Sequence, residues 1–378
     1  MMSNYCPDVW KSLYLQRVNQ TQVKVGFCCQ NVTTTCDTDQ IHHVLQAKRE
    51  NFLTQDLAEQ CNNCWKIERK GERSRRHAAI DWFEDNAVQQ DQMPHLVSLD
   101  WNSDNLCNLA CISCGPRFSS RWSAEISHYP WDDNRRYEVS TRDNQVLNIV
   151  DFSNLRRVYF NGGEPLMSRD HINILTRLQS QGVLGQCEIS YNTNGTQALH
   201  PEFVSLWRQA RLVRVMVSVD AVGAAFEYVR WPAKWHQVQE FINKIYKLDL
   251  NVIVDITCTV GIHNVFELPT LIEWFDNTCR TNPSGDPSCL NLQQVGDIGY
   301  GGRVLDVANI GNYLAARAFT ALEPLVNKFP MINVLIDAMQ SGSKDPKDWK
   351  HYLEQLDRVR GTNWKKSLSK LQENLDCL

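Results

Sequence analysis

From His95 onward, short apolar runs rich in β-branched residues alternate with amphipathic stretches of helical period. LVSLDW (96–101), RRVYF (156–160), CEISYNT (187–193), LVRVMVSVD (212–220), NVIVDITCTV (251–260) and CLNLQQV (289–295) read as strands. Helices are expected near 117–128, 168–181, 201–209, 222–230, 234–247 and 265–277. Strands and helices in strict alternation predict an α/β fold with a parallel sheet and right-handed crossovers. Six such repeats suit either an open doubly wound sheet or an incomplete barrel. Residues 1–90 carry little periodicity until Asn51. Leu53 to Phe83 then reads as helix interrupted at Cys61-Asn62-Asn63-Cys64, and the polar stretch 84–94, closed by Pro94, reads as a linker. The tail from Val304 is helical. Three regions follow: a cysteine-rich domain (1–90), an α/β core (95–300) and a helical C-terminal extension (301–378).

Composition narrows the class. The 378 residues are 43% hydrophobic and 22% charged, ordinary for a soluble globular protein. A net charge of -4 gives no reason to expect nucleic acid or an anionic membrane as partner. No apolar run is long enough to span a bilayer, and MMSNYCPDVWKSLYLQ lacks the basic and apolar regions of a signal peptide, so a cytoplasmic protein is expected. Fourteen cysteines are many for a reduced compartment. They crowd before residue 115, which favours metal ligation. Cys187, Cys258, Cys279, Cys289 and Cys377 are scattered singly and read as packing or surface thiols.

The crowding is tightest in CNLACISC, which holds Cys107, Cys111 and Cys114. Three thiolates can hold three irons of a cubane and leave the fourth iron open, as chemistry requires and a structural site avoids. In parallel α/β folds ligands sit at the C-terminal strand ends. There lie this loop, Gly162-Gly163-Glu164-Pro165, Asn192-Thr193-Asn194-Gly195-Thr196, and Asp220.

CNLACISC followed after the next strand by NGGEP resembles the radical S-adenosylmethionine (SAM) superfamily, over roughly residues 95–300. The resemblance implies a partial (βα)6 TIM-like barrel. It implies that Cys107, Cys111 and Cys114 ligate a four-iron four-sulfur (4Fe-4S) cluster whose open iron binds SAM. The cluster would cleave SAM reductively to a 5′-deoxyadenosyl radical that abstracts hydrogen from substrate. Gly162, Gly163 and Glu164 would contact the SAM amino group. Asn192 and Asn194 would serve its ribose or carboxylate, Ser218 lies at a matching strand end, and Arg230 would hold the carboxylate. VGIHN (260–264) falls loosely where the family contacts adenine. Ser113 departs from the aromatic residue often found before the third cysteine.

Cys6, Cys28, Cys61 and Cys64 resemble the SPASM/Twitch auxiliary-cluster modules, here placed before the core, and LDRVRGTNW (356–364) resembles the end of Twitch-containing members with that order. A second 4Fe-4S cluster is implied, with Cys29 competing for the place of Cys28 and zinc as the alternative metal. Such modules accompany peptide modification, so a peptide substrate is expected, small-molecule dehydrogenation second. An electron donor such as flavodoxin or ferredoxin is implied. Arg73, Arg75 and Arg76, after the second cysteine pair, are candidates to hold an anionic substrate group or to form a solvated face. Two further alternatives are an electron carrier without SAM chemistry and a zinc-stabilised interaction protein.

Overall fold

A computed structural model describes residues 5–19, 21–31, 33–54, 61–69, 71, 73–89, 91–102, 104–131, 150–248, 250–279, 287–296, 300–343 and 346–377. Parts of the expected helix Leu53–Phe83 (55–60, 70 and 72) and of the expected linker (90) lie outside them. Two compact units emerge: residues 1–104, 138–191 and 201–213 form the first, and residues 105–137, 192–200 and 214–378 the second.

In the first unit the hydrogen-bonded strand order is β3-β2-β1-β4-β5-β6, with β1 Ser12–Arg17, β2 Gln22–Gly26, β3 Thr34–Asp37, β4 Ser98–Asn102, β5 Arg157–Asn161 and β6 Glu188–Thr193. β1 pairs with β4 in parallel (Leu13 opposite Leu99), as do β4 with β5 (Leu99 opposite Val158) and β5 with β6 (Val158 opposite Ile189). β2 and β3 extend the sheet antiparallel. The cysteine-rich start therefore contributes three strands that its periodicity did not announce. They are four to six residues long, below the length at which alternation stands out.

The second unit holds β7 Leu212–Ser218, β8 Val252–Val260 and β9 Leu290–Gln294. Val219 N donates to Thr257 O, and β9 pairs in parallel with β8 (Leu290 opposite Ile256). All six strands predicted after His95 are present, their ends shifted by two residues at most. The α/β class holds. The region after Val304 is helical, including Asn312–Leu322, Met331–Ser341, Trp349–Arg360 and Ser369–Asp376. No helix among the described residues is long and apolar enough to cross a membrane.

Burial along the strands shows where a site can lie. In β5, Val158 and Phe160 are buried while Arg157, Tyr159 and Asn161 are partly accessible. In β7, Val213, Val215 and Val217 are buried while Arg214, Met216 and Ser218 are partly accessible. Parallel strands packed on both faces are apolar on both. β5 and β7 instead each pack one apolar face and leave the other partly accessible.

Candidate active site

The cysteine loop belongs to the second unit and is held almost atom by atom. Ala110 N donates to Trp231 O (2.8 Å) and Ile112 N to Val229 O (2.9 Å), so the loop runs strand-like beside the end of the helix Gly223–Val229. Ser119 Oγ donates to Leu109 O (2.5 Å), Trp122 Nε1 to Cys111 O (2.8 Å) and Cys114 N to Cys111 O (3.0 Å). Ser119 also caps the helix Ser120–Glu125 by accepting from Trp122 N. These bonds fix where the three thiols stand: Cys111 buried, Cys107 and Cys114 partly accessible.

Each of two thiols has a polar neighbour. Asn194 Nδ2 approaches Cys107 Sγ (3.8 Å) and donates to Asn108 Oδ1 (2.9 Å), while Asn108 donates to Thr196 Oγ1 (2.9 Å). Gly195 makes the intervening turn at φ +67°, where a Cβ would press within 3 Å of Val217 and Val238. Arg230 Nη1 lies 3.8 Å from Cys111 Sγ, and its Nε lies 2.7 Å from Asp220 Oδ2. Burial pushes the Cys111 thiol up and Arg230 opposes the rise. Burial, then Cys111, pushes Cys114 up to about 12. Such thiols stay protonated until a metal displaces the proton.

The environment of Arg230 differs from the simple expectation of a carboxylate clamp. Its partners are Asp220 and Cys111, and Asp220 is pinned in turn by Thr259 N donating to Oδ1 (2.8 Å) and Asn264 Nδ2 donating to its carbonyl (2.8 Å). Asp220 and Asn264 were legible only as a strand end and a loose VGIHN match. His263 is buried beside them, with neither ring nitrogen bonded among the described residues, and burial lowers its pKa to about 4. Ser218 Oγ lies 3.5 Å from Thr257 Oγ1. Asn192 presents a buried Oδ1 with no partner among the described residues, an acceptor placed for a ligand donor.

Gly162, Gly163 and Glu164 lie at the end of β5 in the first unit. Gly162 has φ +124°, and a Cβ there would stand 2.8 Å from Asn102 Oδ1 and Asp104 O. Gly163 N donates to Asp104 O (2.9 Å). Glu164 is buried and accepts from Leu166 N (3.1 Å), so its carboxylate caps the turn Pro165–Met167.

The N-terminal cysteines converge. Cys6, Cys28, Cys61 and Cys64 line one small cavity together with Asp8, Asn31, Arg75 and Arg76. Cys29 is exposed and outside that lining, which favours Cys28 for the set. Asn31 Nδ2 approaches Cys61 Sγ (3.8 Å). Burial, then Asp8, raises Cys6 and Cys28 well above the usual thiol value, and burial raises Cys61 to about 11. Two buried thiols (Cys6, Cys64) and two partly accessible ones (Cys28, Cys61) on one lining suit a metal that binds as it deprotonates them. Among the described residues no group of three or more His, Cys, Asp or Glu side chains is gathered closely enough to hold a metal ion, so the four thiols share a lining rather than a preset cage. Arg73 stands apart from the other two arginines, which share the cavity lining. Arg73 is exposed and paired with Asp81, Arg75 lines the cavity 3.6 Å from Asp8, and Arg76 is buried against Glu68.

Comparison with known proteins places these features in context. Residues 101–275 match the Radical SAM superfamily model. GTP 3′,8-cyclase of Klebsiella pneumoniae is 25% identical over 172 residues, 45% of this chain and 48% of that protein. The probable GTP 3′,8-cyclase of Archaeoglobus fulgidus is 30% identical over 141 residues, 37% and 40% of the two chains. The chain thus spans about half the length of the curated relatives it matches, or less. Among solved structures, anSMEcpe with bound AdoMet is 17% identical and covers 60% of each chain at TM-score 0.38. Streptococcus suis SuiB is 10% identical, covering 84% of this chain and 68% of its own at TM-score 0.38. Overlap of that degree carries nothing about substrate.

Proposed function

We propose, from the match of residues 101–275 to the Radical SAM superfamily model, that the chain is a radical SAM enzyme in which Cys107, Cys111 and Cys114 hold the 4Fe-4S cluster that cleaves SAM. The observation that carries this reading is the cysteine loop. Its backbone is fixed by bonds from Ser119 and Trp122 and by its own bonds to the carbonyls of Val229 and Trp231, and Asn194 and Arg230 stand 3.8 Å from the sulfurs of Cys107 and Cys111. When bound, the cluster would supply the one electron that cleaves SAM to methionine and a 5′-deoxyadenosyl radical able to take a hydrogen atom from substrate.

The chain's own residues have the following roles. Asn194 and Arg230 present N–H groups toward the sulfurs of Cys107 and Cys111 and stabilise their thiolate state. Asn192 offers its orphan carbonyl oxygen to a donor on SAM, and Ser218 a hydroxyl. Gly162 and Gly163 bring backbone close to ligand, and Glu164 holds the shape of that turn. Arg230 orients on Asp220 and reaches the SAM carboxylate with the nitrogen left over.

Residues 1–90 form the auxiliary module, 95–300 the core and 301–378 a helical extension. Cys6, Cys28, Cys61 and Cys64 hold a second, closed 4Fe-4S cluster that takes an electron from the substrate radical. The shared cavity of those four thiols supports this. The substrate is a polar molecule, consistent with the polar strand faces, and a peptide is the first reading on the likeness of the auxiliary cysteines. A nucleotide-sized small molecule is the second, favoured by the curated relatives named GTP 3′,8-cyclase. A flavodoxin or ferredoxin supplies electrons.

The test is formation of 5′-deoxyadenosine from SAM and dithionite by anaerobically reconstituted protein. Wild type is expected to form it and the C107A/C111A/C114A variant to form none. A wild-type protein with intact, reduced clusters and no 5′-deoxyadenosine would reject the reading.

A further inference from the structure

The carbonyl of Ile112, one residue past Cys111, accepts a hydrogen bond from Tyr352 Oη at 2.6 Å. Every other bond described above to the loop's carbonyls comes from within a few residues of the loop. This one comes from the helix Trp349–Arg360 of the C-terminal extension. Tyr352 is 1% exposed and packs tilted against the rings of Trp131 and Tyr300 (ring centroids 5.0 and 5.8 Å away). Gly301 passes so close that a Cβ there would overlap both the Ile112 carbonyl and the Tyr352 hydroxyl. The far end of the helix is also tied to the loop's surroundings. Arg360 Nε donates to Glu125 Oε1 (2.6 Å), and its guanidinium lies 4.8 Å from both the Trp122 and Trp231 rings. Trp122 donates to Cys111 O and Trp231 accepts from Ala110 N, so both ends of one helix bear on the same few loop residues.

A helix held only for packing needs no buried hydroxyl aimed at a carbonyl between two cluster cysteines. We infer that Tyr352, with Gly301 leaving it room, is a positioning residue for the core cluster. The C-terminal extension is thereby a working part of the SAM site. Tyr352 fixes the Ile112–Ser113 peptide and so the spacing of Cys111 and Cys114. Without it the Ile112 carbonyl is buried and unpaired, and the loop relaxes toward other geometries.

The inference rests on the core-cluster reading above, and the experiment separates the two. In the full chain with iron and sulfide restored, Tyr352→Phe keeps the ring and removes the hydroxyl. Three measurements are made: the rate of iron release to a chelator, the change in the reduced-cluster EPR signal on adding SAM, and amide exchange across 107–114 in the iron-free protein. Tyr313→Phe, which loses an exposed hydroxyl bonded to Cys377 O, is the control. Tyr352→Phe is expected to release core iron about tenfold faster, to lose or broaden the SAM-dependent signal, and to exchange faster at 112–114, with unchanged far-UV circular dichroism. If wild type carries no iron that C107A/C111A/C114A removes, the reading of the site falls. If it does and a folded Tyr352→Phe matches wild type in all three measurements, only the positioning role falls. Should Tyr352→Phe fail to fold, Arg360→Lys loosens the same helix at its other end. Faster iron release in that folded variant supports the inference and a wild-type rate overturns it.

Discussion

Arg76→Met tests whether the cysteine-rich segment is built around its auxiliary cavity. Arg76 donates from Nε to Glu68 Oε1 (3.0 Å) and from Nη2 to Glu68 Oε2 (2.5 Å), a two-pronged pair whose side chains are 6% and 0% exposed. Its Nη1 donates to Tyr5 O (3.0 Å), directly before Cys6, and its guanidinium lies 4.9 Å from the Trp65 ring, directly after Cys64. One side chain therefore braces the neighbours of two proposed ligands. Methionine keeps most of the volume but leaves Glu68 as a buried charge without its partner, a loss of about 3–5 kcal/mol. At 1.4 kcal/mol per decade this raises the local opening equilibrium by roughly two to three and a half orders of magnitude. Burial would push the Glu68 carboxyl up, yet Arg76 and Ser74 hold it below its ordinary value. The pair's contribution is therefore present above the unfolded carboxyl pKa and is lost as pH falls through the lowered folded one. The assay is native-state hydrogen exchange over Asn62–Glu68 and Arg75–Asp85, with iron retention measured in a C107A/C111A/C114A background that isolates the auxiliary site. Arg76→Met is expected to lose protection and iron together, and Glu68→Gln/Arg76→Met to recover part of the protection. Wild-type protection and iron in Arg76→Met would refute the bracing argument.

Three other predictions concern separate parts of the molecule. C61A/C64A should lose the auxiliary iron yet still form 5′-deoxyadenosine, now without a matching change in substrate; equal iron loss from this variant and from C107A/C111A/C114A would mean the two sites are one. Burial raises Asp100 on the polar face of β4 to about 7, against the pull of Arg75 and its bond from Asn161 (2.6 Å). Its folded pKa lies above the unfolded one, so stability linked to it is present at low pH and lost as pH rises to about 7. Asp100→Asn should then flatten the fall in Tm between about pH 4 and 7, and an unchanged slope would contradict this. Gly162→Ala forces a side chain into φ +124° against Asn102 and Asp104, which should cost about 1–3 kcal/mol and weaken SAM binding measured by equilibrium dialysis, with wild-type affinity as the contrary result.

The core strands were legible because each combines a β-branched run with a turn or helix signal on either side. NVIVDITCTV could hardly be anything but a strand, and the structure places Val252–Val260 there. β1 was hidden because SLYLQR follows a single helical turn and pairs with β4 across about eighty residues of chain, a partnership that local pattern cannot carry. The spacing of Cys107, Cys111 and Cys114 was legible in the chain, and the grouping of Cys6, Cys28, Cys61 and Cys64 came from a family resemblance. The support of the thiols was not legible. Tyr352 meets Ile112 across 240 residues, and the pinning of Asp220 by Thr259 and Asn264 appears only once β7 and β8 lie side by side. Glu164 shows a different limit: its place in a glycine turn was evident, but its use as a cap for Leu166 depends on the turn's geometry.

The central claim is that one chain carries two clusters and that only the one on Cys107, Cys111 and Cys114 is open to SAM. Mössbauer spectroscopy of protein reconstituted with iron-57, recorded with and without SAM, tests it most directly. The account predicts about eight cluster irons per chain in wild type and about four in C107A/C111A/C114A, with SAM shifting a single iron site in wild type and none in the variant. A SAM-dependent shift that survives in C107A/C111A/C114A, or a wild-type spectrum that holds only one cluster, would contradict it.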